Sequence, residues 1–174
     1  GRNGSGKSTL LKILHGLVTQ DGGDRMLSKG LSIGYMEQDP NLSEFSTLYD
    51  YVYSGVSESD LHLIEITSQN LGVDLEASIV DSSGGEKRKA ALTKLIAGSH
   101  DIMLLDEPTN HLDVEAIEWL EAELKYSSKS FVIISHDRAF LSNLTSDTIW
   151  VDRGKARRCS VGFGGFEAWR DKVW

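Results

Sequence analysis

The sequence begins Gly-Arg-Asn-Gly-Ser-Gly-Lys-Ser-Thr, residues 1–9, with the spacing of a phosphate-binding loop, G-x-x-x-x-G-K-[ST]. No other feature constrains the fold as strongly. Glycine lets backbone N–H groups close around phosphate oxygens. Gly1, Asn3, Gly4, Ser5, Gly6, Lys7, Ser8 and Thr9 are therefore the expected phosphate-binding residues. Lys7 is placed to reach the outer phosphates and the Ser8 hydroxyl to ligate Mg²⁺. The helix expected from Ser8 to Val18, with Leu10, Leu11, Ile13 and Leu14 apolar, points its positive end at the same anion. Such a loop follows a strand. Because it starts at residue 1, the expectation is a nucleotide-binding domain lacking its first strands.

The 174 residues amount to about one domain. The formal net charge of -8 argues against a generally polyanion-binding surface. Two local basic runs, Lys87-Arg88-Lys89 and Arg153, Lys155, Arg157 and Arg158, read first as solvated faces that could meet a partner. A single cysteine, Cys159, excludes an internal disulfide and a cysteine zinc site. It reads as an apolar filler of a late strand, and one thiol fits a reducing cytoplasm. No apolar run approaches the ~20 residues of a membrane span.

Asp21–Asp24 is expected to turn and Leu31–Met36 to form a strand. Thr47–Ser54 and Ser59–Asn70 are expected to be helical, followed by a strong helix at Gly84–Ala97. Ile102–Leu105 and Phe131–Ile134 are short continuous apolar runs, the pattern of strands buried on both faces. Helices are expected at Asp113–Lys125, Ala139–Asn143 and Phe166–Trp174, and a further strand at Thr148–Val151. Alternating strands and helices imply an α/β domain with a mainly parallel sheet.

Five further elements carry chemistry. Gln38 follows the Leu31–Met36 strand, where its amide could ligate Mg²⁺ or hold a water; alone it is a polar loop residue. Ser83-Gly84-Gly85-Glu86 opens a helix and has capping-box spacing, but its two glycines also leave N–H groups free for a second phosphate. One triphosphate needs one cradle, so the second suits a nucleotide held by another domain. Asp106 and Glu107 end a buried strand, where ligands bind in open α/β sheets. Asp106 would hold Mg²⁺ through water, and Glu107 would polarise the attacking water. Asp113 reads as the N-cap of the next helix. His136, in Ser135-His136-Asp137, ends the neighbouring strand and is positioned to touch a γ-phosphate.

In this order the motifs resemble an ATP-binding cassette ATPase, nearly from end to end. The phosphate loop is at Gly1–Thr9, the glutamine loop at Gln38, the signature at Ser83–Glu86, Walker B at Ile102–Glu107 and the switch histidine at His136. Asp-Glu-Pro-Thr-Asn-His-Leu-Asp, residues 106–113, is similar to the ABC-F branch, whereas transporter cassettes more often carry Ser-Ala in place of Asn110-His111. The segment Gly162–Arg170 resembles the approach to the interdomain linker in the Uup-like group of that branch.

The resemblance implies a P-loop cassette with a small helical subdomain over about residues 43–98. It implies that residues 164–174 start a helix leading to the linker, and that this is most of a first cassette whose second lies in the same parent chain. It implies ATP and Mg²⁺ as cofactors, Ser8, Gln38 and Asp106 about the metal, Glu107 and His136 as catalytic residues, Ser83–Glu86 acting in trans and Asp113 at the interface. The implied work is ATP hydrolysis by a cytoplasmic, ribosome-associated translation factor. The alternatives are the energy subunit of an ABC transporter and a DNA-binding ABC ATPase. One departure is Ser82, which stands where leucine is usual before the signature serine and is expected to loosen that loop.

Overall fold

A computed structural model describes residues 4–173. Three parallel strands form the central sheet in the order β1 (Ile33–Met36), β2 (Ile102–Asp106), β3 (Ser130–Ile134). Parallel neighbours need crossovers, and helices supply them. From β1 to β2 the chain passes through α2 (Leu48–Tyr53), a 3₁₀ turn at Glu58–Asp60, α3 (Leu61–Leu71) and α4 (Gly84–Ala97). From β2 to β3 it passes through α5 (Val114–Tyr126). The phosphate-loop helix α1 (Lys7–His15) packs on β1 and β2. It ends at Gly16, whose φ of 99° suits a left-handed C-cap. That is earlier than the Val18 expected from its apolar residues.

Two apolar clusters hold these layers. One joins Met36, Leu92, Leu95, Met103, Leu105, Leu120, Leu124 and Phe140 around the sheet. The other joins Leu42, Leu48, Val52, Ile64, Ile79, Ala90 and Ala97 within the helical crossover. α4 contributes to both, so it ties the helical region to the sheet. At roughly 1.5–3 kcal/mol per fully buried large apolar side chain, these clusters are the main favourable term.

After β3 come α6 (Arg138–Leu144), β4 (Thr148–Asp152), β5 (Lys155–Cys159) and α7 (Phe163–Val173). β4 and β5 form an antiparallel hairpin, an addition to the parallel strands expected from sequence. Arg153 and Gly154, at φ 46° and 72°, make the tight two-residue turn. Its partner strand Lys-Ala-Arg-Arg-Cys carries no apolar alternation, so the sequence does not announce it. Cys159 closes that strand and is buried, as a filler should be. α7 begins at Phe163, three residues before the expected start, and Trp174 of that expectation lies outside the described residues.

One expectation is corrected. β2 is buried, but Phe131–Ile134 is not a strand covered on both faces. In β3, Phe131, Ile133 and Ile134 are only partly buried, and Val132 is 38% exposed. Among the described residues β3 pairs with β2 alone. An apolar run records a tendency to be buried, not which neighbours are present to bury it. Among the described residues, no helix is long and apolar enough to cross a membrane.

Candidate nucleotide site

Parallel pairing places the carboxyl ends of β1, β2 and β3 along one edge. Met36 is opposite Leu105, and Asp106 is opposite Ile134. Gln38, two residues past β1, Asp106 and Glu107 at the end of β2, and His136, two residues past β3, therefore share that edge. Ligands of open α/β sheets bind there.

Asp106 is 0% exposed, and neither carboxylate oxygen has a hydrogen-bond partner. A buried carboxylate in that state is costly unless a cation or a proton compensates it. The orphaned oxygens thus fit a divalent cation. Among the described residues, no group of three or more His, Cys, Asp or Glu could hold a metal. Ser8 at the start of α1, Gln38 past β1 and Asp106 at the end of β2 each offer an oxygen, the donor type Mg²⁺ accepts. Gln38 itself is exposed in a bend after β1. The Tyr35 phenol on β1 reports the same negative field: burial, then Asp106, then Glu37, push its pKa up to about 12.

Glu107 is buried at 8% exposure and has φ +52°. A non-glycine residue in this left-handed region costs roughly 1–2 kcal/mol, so its surroundings must hold it there. Its N–H donates to the Ile134 carbonyl at 2.7 Å. Its Oε2 accepts from the His136 backbone N–H at 3.1 Å. His136 Nε2 lies 3.2 Å from Oε1. The Glu107 carbonyl accepts from Arg88 Nη2 at 3.2 Å and from the Asn110 N–H at 3.3 Å. The His136 side chain is 65% exposed while its Nε2 meets the carboxylate.

In the phosphate loop, Gly4 and Gly6 have φ of 77° and 87°, with no atom within 4 Å of a Cβ built on either. Glycine is needed there for backbone conformation, and the space above the loop is open. Gly6 is the N-cap of α1, and no side chain caps that end. Lys7 and Ser8 are half-buried and Thr9 is exposed. Ser5 Oγ is buried without a partner. Gly1 and Asn3 of the expected loop lie outside the described residues.

Ser83 caps α4 in a complete capping box. Its N–H donates to Glu86 Oε2 at 2.6 Å, and its Oγ accepts from the Glu86 N–H at 3.2 Å. The Ser83 N–H and hydroxyl hold the Glu86 carboxyl below its ordinary pKa. Gly84 is exposed with open space about it, whereas a Cβ on Gly85 would come within 3.2 Å of the His111 ring. Ser82 does not leave the loop slack: it is buried, and its hydroxyl donates to the Ser78 carbonyl at 2.6 Å. Asp113 caps α5, accepting from the Ala116 N–H at 2.8 Å. Both structural readings of these residues are therefore realised.

Sequence reasoning missed Arg88 and His111. Arg88 sits in a basic run that reads as a solvated face. On α4, however, positions 84, 88, 91 and 95 share one side; Ala91 and Leu95 on it are buried, Leu95 packs against Gly34 of β1, and Arg88 reaches the end of β2. His111, at φ 67°, packs over Gly85 from the segment that follows Glu107.

The comparisons agree with this geometry. The ABC transporter family (ABC_tran) matches residues 1–110. The chain is 44% identical over 174 residues to the ATP-binding protein Uup of Caulobacter vibrioides, covering 99% of this chain and 28% of that protein. It is 32% identical over 197 residues to the energy-dependent translational throttle protein EttA of Mycobacterium tuberculosis, covering 90% of this chain and 35% of that protein. Among solved structures, the ATP-binding subunit of an ABC transporter superposes with a TM-score of 0.80 at 21% identity, covering 99% of this chain and 79% of that one. That last likeness speaks for the fold. The chain spans about a third or less of the two curated relatives. With its motifs on one sheet edge and its family matched over 110 residues, the chain belongs to the ABC transporter family of ATP-binding cassettes and resembles the Uup-like, ABC-F members.

Proposed function

We propose that this chain binds and hydrolyses ATP as one cassette of an ABC-F ATPase that works on the ribosome in the cytoplasm. The observation that carries the reading is the buried, unpartnered carboxylate of Asp106 beside a strained Glu107 held by His136. Lys7 and the amides from Gly1 to Thr9 hold the phosphates. Ser8, Gln38 and Asp106 would hold Mg²⁺, which would supply charge neutralisation for the phosphates. Glu107 takes a proton from water as its oxygen bonds to the γ-phosphorus and the bond to the ADP oxygen breaks. His136 orients Glu107 and meets the γ-phosphate with its exposed ring.

Ser83–Glu86 and Asp113 complete the site of a second cassette facing this one. A helical unit over about residues 43–98, with its own apolar cluster, is the part that moves with Ser83. α7 leads toward the linker between cassettes. Gain and loss of the γ-phosphate would close and open the pair. The translational role is supported by the likeness to EttA, named as an energy-dependent translational throttle protein.

The test is sedimentation of the full-length protein with ribosomes. Mg-ATP should increase co-sedimentation, and Glu107→Gln should increase it further. Cofractionation with a membrane permease would instead make it a transporter subunit, and binding to DNA without ribosomes would make it a DNA-directed ATPase.

A further inference from the structure

Beyond the Asn110 N–H of its own loop, Glu107 is fixed from three directions, and two of them belong to the sheet. The Ile134 carbonyl and the His136 N–H both come from β3 and the turn after it. The third comes from a helix. Arg88, on the second turn of α4, donates from Nη2 to the carbonyl of Glu107 at 3.2 Å, with the Asp106 carbonyl at 3.4 Å from the same nitrogen. Arg88 Nε is buried and without a partner, so the guanidinium reaches these carbonyls while one N–H goes unsatisfied. One turn earlier on α4, Gly85 meets the His111 ring closely enough that a Cβ would crowd it. The first two turns of α4 thus grip both ends of the segment from Asp106 to His111.

We propose that Arg88 is a positioning residue for hydrolysis: it fixes the backbone of Glu107 and couples that carboxylate to the α4 N-terminus carrying Ser83–Glu86. This rests on the reading of Glu107 as the general base. A cation donating to both carbonyls suits the task, because a planar guanidinium holds direction as well as distance. If α4 is displaced at its N-terminus, Arg88 carries the displacement to Glu107, whose left-handed backbone is already at the edge of what a non-glycine residue adopts. The state of the facing site would in this way reach the base of this one without passing through the phosphate loop.

The experiment is steady-state ATP hydrolysis and nucleotide binding by the full-length protein carrying Arg88→Met, Arg88→Lys or Glu107→Gln. Arg88→Met keeps an apolar stem and removes the donors. Its kcat should fall about 10- to 100-fold, as expected for a base displaced by a fraction of an ångström to an ångström, with the KM for ATP within about twofold of wild type. Arg88→Lys keeps one donor and should recover part of kcat. Wild-type kcat in Arg88→Met beside an inactive Glu107→Gln would overturn the inference and leave the base intact. A rise in KM matching the fall in kcat, loss of cooperative melting, or no recovery by lysine would assign Arg88 to binding or to the fold, and would equally overturn it. Normal hydrolysis by Glu107→Gln would instead overturn the reading beneath it.

Discussion

Glu107 and His136 meet twice across the ends of two adjacent parallel strands. The His136 N–H donates to Oε2 at 3.1 Å while its Nε2 stands 3.2 Å from Oε1. The backbone contact fixes where the carboxylate sits, and the ring contact fixes how it is turned. Replacing His136 by Ala keeps the first contact and removes the second. Hydrolysis should fall about 10²-fold, the lower range for loss of a group acting in proton transfer, with ATP binding retained. Rates measured beside a nucleotide-binding titration check this; unaltered hydrolysis would mean that the ring has no part in the chemistry.

Asp113 and Ser83 each cap a helix, and each is also proposed to serve a facing cassette. The structural part can be measured alone. Asp113→Ala removes the acceptor of the Ala116 N–H and should destabilise the protein by about 1 kcal/mol, as should Ser83→Ala at α4. Denaturant unfolding gives these values. Activity losses much larger than this stability loss allows would speak for the role in trans.

The sheet core sets a larger scale. Leu105 is 0% exposed between Asp106 and the rest of β2. Leu105→Ala should cost ~2–5 kcal/mol through lost burial and the cavity left behind. A cost below 1 kcal/mol in equilibrium unfolding would contradict the packing described for β2.

Two tyrosines should give the fold an alkaline limit. Burial, with Asp106 and Glu37 adding for Tyr35 and Glu37 for Tyr51, raises both phenols to about 12 from 10.0. The folded protein then holds protons that the unfolded chain releases, so this stability is complete below pH 10 and is lost as pH rises toward 12. Ultraviolet titration should show Tyr35 and Tyr51 ionising late, with Tyr53 also shifted upward by burial, then by Tyr49 and Glu65, and Tyr35→Phe and Tyr51→Phe should each remove one late transition. Five ordinary phenolate transitions would contradict the burial.

Much of the site was legible because its residues are fixed by local rules. A loop of glycines before Lys7, a capping pair at Ser83 and Glu86, and acids closing the apolar run at Asp106 each announce their geometry within a few residues. Strand ends then bring Gln38, Asp106, Glu107 and His136 together once the sheet is parallel. Arg88 was not legible, because its purpose depends on two backbone carbonyls 18 and 19 residues away. Nor was β5, whose charged residues form a strand because the Arg153-Gly154 turn folds them back onto β4. The exposure of β3 depends on what lies beside it, which an apolar run does not state.

The most direct test of the whole account is Glu107→Gln in the full-length protein, with ATP binding and single-turnover hydrolysis measured side by side. The amide keeps the shape of the carboxylate and removes its capacity as a base. Binding should stay near wild type while hydrolysis drops ~10² to 10⁴-fold. Hydrolysis at the wild-type rate, with binding intact, would contradict the assignment of Glu107 and with it the mechanism built on this sheet edge.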